Sequence, residues 1–187
     1  GLVAFAGAPY LVSPLSLDHQ WLQQNLDRVR IGLIEDGTAI GSALATSVNR
    51  LRDQPSKSKI VVLLTDGLNN AGKVAPQTAA EAAKAMGVKV YTIGAGAQGE
   101  APVPVKDQFG NQRIVMAKVD VDEAALKKIA DETGGKFFRA TDTDSLHKIY
   151  AEIDRMEKTT HAVKKFSKYH ELFALAVVPG LMLLGLT

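Results

Sequence analysis

Residues 60–70 read IVVLLTDGLNN: five branched apolar side chains in succession, then Thr65, Asp66, Gly67 and, after Leu68, two asparagines. A short unbroken apolar run bounded by turn residues fits a strand covered on both faces, as inside a parallel sheet. In open α/β sheets the loops at the carboxyl ends of such strands form the ligand crevice. Asp66 therefore stands where this architecture keeps its chemistry, and Gly67 lets the backbone turn away from it.

The rest of the chain supplies partners for that strand. LVAFA (2–6) reads as a buried strand, and YLVSPL (10–15) as a strand at a sheet edge, because Pro14 has no N–H for a central ladder. Asp18 is placed to cap a helix through about Val29, with Trp21, Leu22, Leu26 and Val29 on its apolar side. EDGTAIGSALATSVNRLRD (35–53) makes a tight loop followed by a helix, with Leu44, Val48 and Leu51 at helical spacing. Pro76 suits the first turn of the next helix and Gly87 its end. VKVYTIG, DEAALKKIADETGG, KFFRA and DTDSLHKIYAEIDRMEK then alternate strand and helix to residue 158. That alternation predicts an α/β fold: a doubly wound, mostly parallel sheet with an antiparallel edge hairpin from the start of the chain. Residues 102–116, alternating polar and apolar around Gly110-Asn111, interrupt the rhythm as a surface β-hairpin.

Composition narrows the function classes. A net charge of +2 with no basic stripe argues against nucleic acid as a partner. The absence of cysteine removes disulfides and thiolate metal sites. The tail LFALAVVPGLMLLGLT (172–187) is continuously apolar behind Lys164, Lys165, Lys168 and Tyr169. A membrane span needs about 20 apolar residues. Residues 172–187 are thus read as the start of a transmembrane helix and 161–171 as a basic juxtamembrane linker. The flanking lysines favour the cytoplasmic side for the domain.

Three motifs compete for chemistry. GAGAQG (94–99) has the glycine spacing of a dinucleotide loop, but EAPVPV follows it and cannot open the helix that would hold a pyrophosphate. Glu35, Asp36 and Thr38 precede a helix, where either Asp36 or Thr38 would serve as N-cap. The same oxygens would also suit a hard cation, and with Asp66 they make two oxygen-rich loops at one crevice. Asn69 and Asn70 are read as shaping the loop after Asp66. The four histidines share no metal-ligand spacing, and no Ser-His-acid arrangement occurs.

DGTAIGSAL, VVLLTDGLNN, VYTIGAG and TGGKFFRATDTDSLHKIYAEID, in this order, resemble the von Willebrand factor type A domain. More narrowly they resemble the Bat-type, aerotolerance-related bacterial membrane proteins encoded beside MoxR-type AAA+ ATPases. The resemblance implies a Rossmann-like α/β sandwich whose metal-ion-dependent adhesion site is built from a first-loop D-x-S-x-S, a second-loop threonine and a third-loop aspartate. Thr38 matches the second element and Asp66 the third. No D-x-S-x-S occurs in this sequence and no strand precedes LVAFA. The expectation is therefore a type A domain over residues 1–160 that lacks its first central strand.

The function this implies is metal-dependent protein recognition without catalysis, by a domain anchored in the bacterial inner membrane. The ion would be Mg²⁺, or Mn²⁺ or Ca²⁺, in the complete protein, and weakly held or absent in this chain. The partner would be a MoxR-type ATPase or a related Bat protein. Two alternatives stay open: a structural anchor with a non-functional site, and a Mg²⁺-dependent hydrolase using Asp66 and Asp36.

Overall fold

In the computed structural model the described residues are 1–96, 99–106, 112–119 and 121–163, with side chains of 99–106, 112–119 and 159–163 left aside. The chain divides into two units, Gly1–Ile149 and Tyr150–Thr187. Seven strands and five helices appear among the described residues, in the order β1 (Leu2–Phe5), β2 (Pro9–Ser13), α1 (His19–Leu26), α2 (Ile40–Arg52), β3 (Lys59–Thr65), α3 (Pro76–Ala85), β4 (Val88–Ala95), β5 (Gly99–Lys106), β6 (Gln112–Val119), α4 (Glu123–Thr133), β7 (Phe137–Ala140) and α5 (Thr143–Val163).

The branched apolar run forms the expected parallel strand but is not covered on both faces: Leu63 is buried while Leu64 is exposed, because α2, α3 and α4 all pack on one face. β3 pairs in parallel with β4 along its whole length, from Lys59↔Val88 to Thr65↔Gly94, and β4 pairs in parallel with β7. One face of this sheet carries Val61, Leu63, Val88 and Val90 against Leu44 and Val48 of α2, Ala79, Ala80 and Ala83 of α3, and Leu126 and Ile129 of α4. The alanines of α3 bring that helix close to its neighbours. Local signals set the ends of the helices: Pro76 occupies the first turn of α3, Asp122 caps α4 through Ala125 N–H, and Gly134 closes α4 in the left-handed region.

The amino-terminal strands differ from expectation. β1 and β2 form their own antiparallel two-stranded sheet, which is not hydrogen-bonded to β3-β4-β7. β2 begins at Pro9 and stops at Ser13, so Pro14 lies just beyond it. α1 is capped by Asp18 as predicted, yet none of its residues is buried, so its apolar side does not pack as expected. α2 lies against both β1 and β3. A groove of about 660 Å³ has Leu2 and Val3 on one wall, Ile60, Val61 and Val62 on another, and Asn49–Arg52 at the end of α2.

β5 and β6 form the expected antiparallel hairpin, longer than residues 102–116, in register from Gly99↔Val119 to Lys106↔Gln112. Its turn at Gly110-Asn111 lies outside the described residues. Gly99 begins a strand, so no helix follows GAGAQG. α5 continues to Val163, three residues into the segment read as a linker, and the apolar tail lies outside the described residues. No helix among the described residues is long and apolar enough to cross a membrane.

Candidate metal-site crevice

Strand β3 delivers Thr65 buried and Asp66 exposed. The Thr65 hydroxyl accepts the Gly67 N–H at 3.3 Å and lies 3.4 Å from the Gly67 carbonyl oxygen, which pins the turn around Asp66. The Asp66 carboxylate has no hydrogen-bond or ion-pair partner among the described residues. It is solvated, and so available.

Thr38 approaches from the other side, two residues before α2. Its neighbour Ala39 donates to the Ala6 carbonyl at 2.8 Å, and Gly7 donates to the Glu35 carbonyl at 2.8 Å, so β1 ends at the same crevice as β3. The Asn70 Oδ1 accepts the Thr38 N–H at 2.7 Å. In return the Asn70 and Ala71 N–H groups donate to the Thr38 carbonyl at 3.1 and 3.4 Å. The Asn69 Oδ1 accepts the Gly41 N–H at 3.3 Å. Ser42 Oγ accepts from the Lys73 and Val74 N–H groups at 3.0 and 3.3 Å. Two loops about thirty residues apart in sequence are thereby sewn into one surface.

Glycine permits this closeness at two places. A Cβ on Gly67 would stand 3.0 Å from Thr38 Oγ1, and one on Gly41 would stand 2.1 Å from the Val74 carbonyl oxygen. Any larger residue at 67 would crowd the hydroxyl, and at 41 it would push α2 off the loop.

One sequence expectation is corrected here. Neither Asp36 nor Thr38 caps α2: the N-cap is Ala39, and no side chain of its own bonds the first turn. The early amide of Gly41 is served instead by Asn69, from the loop after Asp66. Asn69 and Asn70 do shape the loop, as expected, but their reach to residues 38 and 41 was not anticipated. The available signal was two amides directly after a crevice aspartate, each carrying an acceptor able to cross a gap. Glu35 and Asp36 are exposed, and neither side chain bonds Thr38 or Asp66.

The donor set fits the chemistry of a hard cation only in part. A threonine hydroxyl and an unpartnered carboxylate are oxygen ligands of the right kind. Among the described residues, however, no three His, Cys, Asp or Glu side chains come together to hold an ion. Magnesium needs near-octahedral oxygen coordination, and two side chains leave most of that shell to water. Beside the crevice a cavity of about 530 Å³ opens between Gly67, Leu68 and Asn69, the start of α3 at Pro76, and Asp122 and Lys128 of α4.

Known proteins share this fold. The von Willebrand factor type A domain family matches residues 1–152. An uncharacterized protein of Borreliella burgdorferi is 27% identical over 164 residues, covering 88% of this chain and 48% of that protein. A UPF0353 protein of Mycolicibacterium paratuberculosis is 30% identical over 166 residues, covering 82% and 47%. The chain thus spans about half the length of these curated relatives. Among solved structures, BatB from Bacteroides thetaiotaomicron superimposes with a TM-score of 0.68 at 27% identity, covering 83% of this chain and 78% of that one. An aerotolerance-related membrane protein from Bacteroides fragilis gives 0.66 at 27% identity, covering 80% and 75%. With its ordered motifs, its parallel sheet and this crevice, the chain belongs to the von Willebrand factor type A domain family and is similar to the Bat-type, aerotolerance-related proteins.

Proposed function

We propose that this chain is the recognition module of a longer membrane-anchored protein, and that Thr38 and Asp66 are two ligands of a divalent cation through which it grips a protein partner. One observation carries the reading. The bond network around Asn70 holds Thr38 so that its hydroxyl lies against Gly67, the residue that follows Asp66, whose carboxylate has no partner among the described residues. A cation held with an open position accepts a carboxylate from another protein, and the chemistry it supplies is charge alone. Among the described residues no further nucleophile or general base stands with these two, which favours recognition over hydrolysis.

The remaining ligands would come from a further loop. Strands β1 and β3 both end at the crevice, belong to different sheets, and border a common groove. A strand of the longer protein entering that groove would pair with both and deliver its loop beside Thr38 and Asp66. The ion would be Mg²⁺, with Mn²⁺ or Ca²⁺ able to replace it. The partner would be a MoxR-type ATPase or a related Bat protein. Residues 172–187 would begin an inner-membrane helix, with the domain on the cytoplasmic side.

Titration calorimetry with Mg²⁺ tests the reading on three proteins: this chain, the longer protein, and the longer protein with Asp66→Ala. Weak or no binding by the first, clear binding by the second and loss in the third are expected. A longer protein that binds no metal, yet still captures its partner, would make the domain a structural anchor. Undiminished binding by the Asp66→Ala protein would remove Asp66 from the site.

A further inference from the structure

We propose that Asn70 is a positioning residue of the crevice: by holding the Thr38 N–H, its side-chain oxygen sets where the Thr38 hydroxyl stands beside Asp66 before any ion arrives. The inference rests on the reading that Thr38 and Asp66 act as a pair.

Thr38 lies outside α2, so the helix offers its N–H no acceptor. Asn70 holds that residue at both ends. Its backbone N–H, with that of Ala71, reaches the Thr38 carbonyl, and its Oδ1 reaches the Thr38 N–H at 2.7 Å. The carbonyl bonds alone would leave the preceding peptide free to rotate, and the side-chain bond removes that freedom. Threonine is restricted at χ1, so fixing its backbone narrows the directions its hydroxyl can take. The surroundings are tight on the same side. Gly37 stands at φ +138, and a Cβ there would meet Ala71 Cβ at 2.9 Å.

Asn69, its neighbour in sequence, has a different task. It serves the Gly41 N–H inside the first turn of α2, at 3.3 Å. It therefore supports the helix, while Asn70 supports the ligand. Truncating the two should separate stability from metal binding, which a merely structural loop would not do.

The test measures hydrogen exchange of the Thr38 amide by NMR in this chain without metal, and Mn²⁺ affinity in the longer protein. Asn70→Ala should speed exchange at Thr38 about tenfold, the scale of one lost hydrogen bond. Asn70→Asp, which keeps an acceptor oxygen in place, should restore slow exchange, and Asn69→Ala should leave Thr38 unchanged. In the longer protein Asn70→Ala should weaken Mn²⁺ binding about tenfold, whereas Asn69→Ala should lower the melting temperature with little change in affinity. Unchanged exchange at Thr38 in Asn70→Ala would overturn the proposal. So would equal loss of Mn²⁺ affinity in the two alanine variants. If the longer protein binds no Mn²⁺ at all, the metal reading fails separately, and the exchange result still decides whether Asn70 positions Thr38.

Discussion

The parallel sheet and the amino-terminal segment are written with similar apolar residues, yet they bury them very differently. In β3-β4-β7 with α2, α3 and α4, the core side chains are nearly all inaccessible: Leu44, Leu126 and Ile129 are each 1% exposed. Across residues 1–36 only Ser13 is buried. Tyr10, Leu15, Leu17, Trp21, Leu26, Ile31 and Leu33 are all exposed there, Leu17 to 94%. The difference lies in what each strand has beside and above it. β3 has a parallel partner along its full length and three helices over one face. β1 has a single antiparallel partner, and a two-stranded sheet is marginal in water until a further layer covers it. Apolar sequence makes a strand, but only neighbouring elements turn it into a core.

The largest expected effect would break this contrast if it failed. Leu126→Ala should cost about 3 kcal/mol, from lost burial plus the cavity left behind. Leu17→Ala should stay within about 0.5 kcal/mol, as surface substitutions do. Urea unfolding of both variants measures the pair. Equal losses would mean that the amino-terminal segment packs as tightly as the sheet.

Two helix caps sharpen the comparison at smaller scale. Asp18 accepts the Trp21 N–H at 3.0 Å and Asp122 accepts the Ala125 N–H at 2.9 Å, so the local chemistry is the same. Asp122→Ala should cost about 1 kcal/mol of global stability, the usual worth of an N-cap. Asp18→Ala should change the unfolding midpoint far less, because α1 holds no fully buried residue while α4 buries Leu126, Ile129 and Ala130. Its effect should appear instead as faster amide exchange within α1.

The smallest effect concerns acid. The Ser145 N–H donates to Asp142 Oδ1 at 2.7 Å, and the Thr141 hydroxyl to Oδ2 at 2.8 Å. These bonds, the Ser145 N–H foremost, hold the Asp142 carboxyl below its ordinary value of 3.8. A carboxyl depressed in the folded state stabilises the protein above the unfolded value. That contribution is lost as pH falls through the lower folded value. Asp142→Asn should therefore shrink the acid-induced drop in melting temperature at the start of α5, a modest change for an exposed group. A drop as steep as in the unaltered chain would show that other carboxylates dominate acid unfolding.

Much of the fold was legible because its signals are local. The branched run 60–64 marked a strand of the parallel sheet, Pro76 a helix start, Asp18 a cap, and the glycines after DEAALKKIADET a helix end. The position of Asp66 was legible for the same reason: it stands exposed directly after the carboxyl end of β3. The cap of α2 was not. The residues adjacent to that helix offered Asp36 and Thr38, while the acceptor at Gly41 is Asn69, twenty-eight positions away. The burial of the amino-terminal strands was misjudged too, because their apolar pattern carries no information about whether a helix or strand lies beside them.

By itself, then, the sequence determined the strands, the helices and most of their ends, because backbone propensity, capping and periodicity act within a few residues of where they are written. The tertiary structure alone decided that the Thr38 hydroxyl stands against Gly67, that Asn69 and Asn70 hold the two loops together, and that β1 stands apart from β3. Those outcomes depend on hydrogen bonds and packing between segments distant in the chain, which form only once α2 and the parallel sheet have brought them within reach.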